Sequence, residues 1–270
     1  MNLYSLPLVA ALLDAAYRAL MGLTDLLEPA AGAAAAAVAV LLVTVAVRAL
    51  LIPVGISQAR AEQTRARLAP RLAELQRRHR DHPEKLQSAT MRLYADEGTT
   101  PFAGCLPMLV QMPVLGVIYA VFVHAQIAGH GNALLGRTLA GVPLGSGLVP
   151  ALGGGTATLA TVLVVGAVVL GIALVGELTR RASSPGGRLA AAVAPQSIAS
   201  AGSQGAAPGP LGGSGVQRAL GVLQFMTAAA ACFVPLAAGL YLLVTAWWTF
   251  GQRLVLRRRY PLPVAGGAAS

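Results

Sequence analysis

The first residue with chemistry to offer is a cation in an apolar run. Arg48 is the single charged residue in Val43–Gln58, VTVAVRALLIPVGISQ. An ionised side chain inside hydrocarbon is costly, so it either snorkels to the headgroups or faces water and partners within a bundle. Pro53 follows in the same run. It cannot donate to the carbonyl of Ala49, which leaves an acceptor for water or a neighbour. No acid stands at a comparable depth in any other apolar run, and Glu177 falls at the end of one. Arg48 is therefore expected to meet water or a transient acidic ligand rather than a fixed counter-ion. Gln111, Gln224 and Thr245 are uncharged polar groups in apolar runs. They can hydrogen-bond between helices or line the same cavity.

The remaining candidates are weaker. His79 and His82 have no third ligand nearby and are followed by Pro83, so no metal site is expected. Gly153-Gly154-Gly155 lacks the Lys-Ser/Thr of a phosphate loop. Gly145-Ser146-Gly147 has no base at hand for a serine nucleophile. Cys105 and Cys232 lie in apolar runs and read as small buried hydrophobes. No catalytic residue and no cofactor are expected. Met1 to Pro7 has no basic start and no lipobox cysteine is near, so no cleaved signal peptide is expected.

The elements that carry these residues follow from composition. The 270 residues are 56% hydrophobic and 11% charged, where a soluble domain is about 25% charged. The fold class is an all-α polytopic membrane protein: five transmembrane helices, a cytosolic helical hairpin and an N-terminal interfacial amphipathic helix. Residues 1–29 carry Leu13, Tyr17 and Leu20 at helical spacing, with Asp14, Arg18, Asp25 and Glu28 between. They are expected to lie on the outer membrane surface and to end at Glu28-Pro29. The first span is 30–57, apolar from about Ala33. Helical rise puts Arg48 roughly 22 Å into it. Residues 58–100 form the hairpin: a helix bent at Pro70, a start signal at Asp81-His82-Pro83 and a stop at Gly98. Spans at 101–126, 156–177, 216–233 and 236–254 follow. A glycine-rich external loop at 127–155 and a flexible linker at 178–215 separate them, and 255–270 is a basic tail.

Charge sets the orientation. Of the 20 Lys and Arg, nine lie in the hairpin, four from Arg180 to Arg218 and four from Arg253 to Arg259. Five spans place these three segments on one side, and the positive-inside rule makes that side the cytosol. The N-terminus is then outside and the C-terminus cytosolic. The net charge of +10 thus reflects topology, not a nucleic-acid partner. Anionic lipid remains a possible contact of the hairpin.

The residues also resemble a known family. Arg48-Ala-Leu-Leu-Ile-Pro53 with Gln58 is similar to the first core span of the YidC/Oxa/Alb membrane protein insertases. Leu68-Ala-Pro70 with Leu75-Gln76 is similar to their hairpin. Pro101-Phe-Ala-Gly104-Cys105-Leu106-Pro107 through Gln111-Met-Pro113 and Tyr119 is similar to their second span. Gly141-Val-Pro143-Leu144 resembles their external loop, and Gln224-Phe-Met226, Pro235, Gly239-Leu240-Tyr241, Thr245, Trp248 and Gly251-Gln252 their last two spans. Thr227, Leu242 and Ala246 depart from the usual proline, tryptophan and asparagine. The layout resembles the short Gram-positive form.

The resemblance implies an ATP-independent insertase in the bacterial cell membrane. Its groove would hold Arg48 and be lined by Gln111, Gln224 and Thr245. Nascent membrane proteins would be the substrates, and the ribosome, the Sec translocon and membrane lipids candidate partners. A membrane-embedded assembly chaperone or scaffold is the main alternative. A small-solute transporter is disfavoured, because no second buried charge and no internal repeat is visible.

Overall fold

A computed structural model describes residues 7–98, 116–127, 129–183 and 225–261. They fall into two compact units. Among the described residues the first unit holds 7–50, 116–127, 129–180 and 225–251, and the second 51–98, 181–183 and 252–261. Among the described residues two stretches, Val9–Leu50 and Leu159–Ala182, are long and apolar enough to cross a membrane.

In the first unit, helix α1 (Pro7–Ala31) packs on helix α2 (Ala35–Leu50). Leu13, Tyr17, Leu20 and Thr24 recur every three or four residues and are buried, as one face of a helix requires. Pro29 does not end α1, contrary to the reading of Glu28-Pro29 as a stop. The turn comes at Gly32, whose φ of +52° suits a residue without Cβ, followed by a 3-10 turn at Gly32–Ala34. α2 buries Ala35, Ala36, Ala37, Ala39, Val40 and Thr44. Small side chains let the two backbones approach closely. The Thr44 hydroxyl is satisfied within the helix, donating to the carbonyl of Val40 at 2.7 Å.

α2 stops at Leu50, and α3 begins at Ile52 (Ile52–Arg78). An unbroken span to Ser57 is therefore replaced by two helices with Leu51 between. Pro53 deprives the Ala49 carbonyl of its donor and suits a first turn, where its missing N–H costs nothing. It stands in the first turn of α3.

Residues 116–123 form helix α5. It ends before residue 126, where a span had been expected to end, because Gln126–Ile127 (β1) pair with His130–Gly131 (β2). A second small hairpin joins Thr138–Leu139 (β3) to Val142–Pro143 (β4). Its turn residues Ala140 and Gly141 both have positive φ, +50° and +81°, matching the twist of a two-residue hairpin loop. The segment after β4 carries a short helix, α6 (Leu148–Gly153).

This glycine-rich connection is tightly built. Leu134, Val142 and Leu144 are fully buried. Asn132 is buried too, its amide donating to the carbonyls of Val121 at 2.7 Å and His124 at 2.9 Å, while its Oδ1 accepts from Leu134 N at 3.2 Å. The connection is sewn to α1 at three points. Ala133 N donates to the Tyr17 hydroxyl at 3.0 Å, His130 Nε2 meets Asp14 at 3.0 Å, and Arg137 lies 3.6 Å from Asp25 and 3.7 Å from Glu28. Helices α7 (Leu159–Ser183) and α9 (Leu236–Arg259) complete this part of the chain, with residues 225–231 (α8) helical before Pro235. A Cβ on Gly171 of α7 would meet the end of the Leu243 side chain of α9 at 2.7 Å, so a larger residue there would have to displace that leucine.

In the second unit α3 is followed by α4 (Pro83–Asp96), with Pro83 in its first turn and Gly98 at φ +62° beyond its end. Pro70 lies inside α3. Glu97 receives Arg67 and Arg71, each at 2.8 Å, so the end of α4 returns to the middle of α3 and the two helices run antiparallel. Leu68 is the buried residue of α3, and α4 buries none. Polar contacts and one leucine hold this pair.

Two stability outcomes follow. Asn132→Ala leaves two carbonyls and one N–H without partners, at about 1–3 kcal/mol for each buried group. A fall in Tm of several degrees in detergent is expected, at about 2–4 °C per kcal/mol. Leu68→Ala should cost about 2–5 kcal/mol and speed proteolysis within 58–98, leaving the first unit's protection unchanged.

Candidate functional site

Arg48 lies in the last turn of α2. The first half of that helix is buried, whereas Leu42, Val45 and Leu50 are exposed. Arg48 therefore stands where α2 leaves the core. Its side chain is half-buried and makes no hydrogen bond or ion pair among the described residues. A guanidinium carries five donors and is always charged, so this position offers an open fork to a carboxylate.

Thr245 is on α9, and its Oγ1 is buried with no hydrogen-bond partner among the described residues. A buried hydroxyl left unpaired costs free energy and points to water or a ligand. Among the described residues α2 packs most closely on α1, and no hydrogen bond links Arg48 to Thr245. Gln111 and Gln224, expected beside them, lie outside the described residues, as do Pro107 and Pro113.

The other signature residues occupy varied settings. Pro53 and Gln58 are exposed on α3. Trp248 is half-buried on α9. Tyr241 is buried, its ring 6.1 Å from that of Phe122 on α5. These two rings help to line an apolar cavity of about 390 Å³, completed by Gly116, Tyr119, Val234, Ala238 and Leu242. The size and apolar lining suit a hydrophobic side chain or acyl segment. Leu242 stands there in place of the tryptophan usual in the resembled family. No sequence signal had marked the cavity, because its walls come from helices far apart in the chain.

The second unit adds contacts that composition alone could not reveal. Near the end of α9, Arg257 pairs with Glu62 of α3. Gln63 Nε2 donates to the carbonyl of Pro261 at 2.8 Å, and Arg60 Nη2 approaches the Tyr260 hydroxyl at 3.4 Å. The hydrogen bond from Arg60 is the main cause that holds the Tyr260 phenol below its ordinary pKa. No group of three or more His, Cys, Asp or Glu could hold a metal ion among the described residues.

The sequence model of the family described as "60Kd inner membrane protein" matches residues 27–263. A Clostridium perfringens protein named membrane protein insertase YidC is 42% identical over 79 residues, 29% of this chain and 33% of that protein. An Aquifex aeolicus protein of the same name is 38% identical over 80 residues, 30% of this chain and 16% of its own length. Membrane protein insertase YidC 1 of Listeria monocytogenes is 38% identical over 89 residues, 31% of each chain. The aligned segments thus span a third or less of these relatives.

The unpaired Thr245 hydroxyl gives a direct check. Thr245→Val removes a buried donor while keeping shape. Tm should hold or rise by up to a few degrees, since an apolar replacement of an unsatisfied group is neutral or stabilising. A fall in Tm would mean that the hydroxyl has a structural partner.

Proposed function

The chain belongs to the YidC/Oxa/Alb insertase family, the 60Kd inner membrane proteins, and from that premise we propose that it inserts membrane proteins from the cytosolic side. In this reading a hydrophilic groove contains Arg48, with Thr245, Gln111 and Gln224 as further polar lining, and no ATP is hydrolysed. The observation that carries it is the state of Arg48: half-buried, at the end of an apolar helix, with no counter-ion among the described residues.

The chemistry is a transient neutralisation. A cation left near hydrocarbon costs about 2.5–3.5 kcal/mol on insertion scales. A carboxylate at about 4 Å and an effective dielectric near 20 returns roughly 4 kcal/mol. An acidic or polar segment of an incoming chain is thereby drawn into a wet pocket, while its apolar helix transfers to lipid by the hydrophobic effect. The driving force lies in the substrate's own apolar surface, so no nucleotide is required. The five-span layout, with hairpin, linker and basic tail in the cytosol and the N-terminus outside, belongs to the same proposal. So do nascent chains as substrates and the ribosome, Sec translocon and lipids as partners.

The test is insertion of a single-span substrate with an acidic translocated tail into liposomes holding purified protein. Arg48→Ala should lower insertion about tenfold, near 1.4 kcal/mol. Arg48→Lys should retain most of it. Equal insertion by Arg48→Ala and wild type would end the charge-attraction mechanism. Failure of wild type to insert any substrate would favour a membrane-embedded chaperone instead.

A further inference from the structure

The contacts between the start of α3 and the end of α9 form a coherent set. Glu62 and Arg257 pair with side chains only 33% and 15% exposed. Arg60 both hydrogen-bonds to Tyr260 and lies 5.6 Å over its ring. Gln63 holds the backbone at Pro261. The Gln252 amide lies so close to Gly55 that a Cβ there would clash with its Nε2. Gly55, Arg60, Glu62 and Gln63 span about two turns of one helix. Gln252 and Arg257 lie on the last turns of α9, and Tyr260 and Pro261 follow directly after it.

We infer that these residues are a latch between the stem of the α3–α4 pair and the C-terminal end of α9, closed in this structure and built to open. Two observations support opening. The helices beyond the latch bury Leu68 and little else, so few apolar contacts oppose their release. The closed latch is also imperfect: Nη1 of Arg257 is buried with no hydrogen-bond partner among the described residues. A desolvated donor left unpaired offsets part of what the ion pair contributes. A ligand that takes up either Glu62 or Arg257 therefore frees the stem. Losing one partner also leaves the other charge shielded and uncompensated, which makes the opening cooperative.

The latch stands independently of the insertase reading, and its test does not use insertion. Hydrogen exchange of the full chain in detergent reports on residues 55–64 and 252–259. Glu62→Arg and Arg257→Glu should each raise exchange in both segments about tenfold, with the segments around Asn132 unchanged. The double variant Glu62→Arg/Arg257→Glu should restore exchange to within about threefold of wild type. Wild-type exchange in the single variants, or no rescue by the double one, would overturn the latch. If a single variant loses protection around Asn132 as well, Glu62→Gln, which keeps the shape and removes the charge, decides: unchanged exchange at 252–259 overturns it, and faster exchange there alone supports it.

Discussion

The helix breaks at Leu51, just before Pro53, and the division of the chain depends on that break. Proline has no N–H for the carbonyl of Ala49 and crowds it as well. The apolar helix α2 therefore ends at Leu50, and the polar helix α3 restarts at Ile52. On one side of the break lie small buried residues and a packed core. On the other lie charges, glutamines and a single buried leucine. The two compact units part at the same bond. Arg48 is three residues before it, where the helix has already left its buried setting, and this is the local reason that a cation can be accommodated there.

Much of this was legible because it is local chemistry. The start of α4 at Pro83 and the glycine beyond its end are written in caps and breakers. The buried face of α1 is written in the spacing of Leu13, Tyr17 and Leu20. The solitude of Arg48 was visible as the absence of any acid in the apolar runs. What stayed hidden is non-local. The connection from β1 to α6 reads as loose glycine-rich chain, yet it folds because Tyr17, Asp14 and Asp25 reach it from more than a hundred residues away. The pairing of Glu62 with Arg257 is equally distant, and each residue alone reads as part of a solvated basic or mixed face. The apolar cavity beside Tyr241 needs α5 and α9, far apart in the chain, to exist. The break at Leu51 was half visible: Pro53 announced a kink, and only the fold shows a restart.

The two ends of the polar inventory are treated differently. In the connection, polar groups are paired to near completion, as with the Asn132 amide bonded on both sides. At Arg48, Thr245 and Nη1 of Arg257, groups are left without partners among the described residues. Satisfied networks fix a single arrangement, whereas unsatisfied groups hold free energy that a ligand or a rearrangement can recover. The first pattern suits a part that stays put, and the second suits parts that meet something else.

The start of α9 carries a consequence for how the chain is made. A helix leaves its first N–H groups without intrahelical partners. Here Leu236 N and Ala237 N donate to the carbonyls of Ser146 and Leu144, both at 2.9 Å, and Val149 N returns a bond to Cys232. The cap of the last helix is thus a piece of folded backbone from ninety residues upstream. In an apolar medium an uncapped end is expensive. Synthesis runs from the N-terminus, and early segments fold first. Every residue of the socket is thus made before the helix it caps, and α9 can find its cap as soon as it is synthesised.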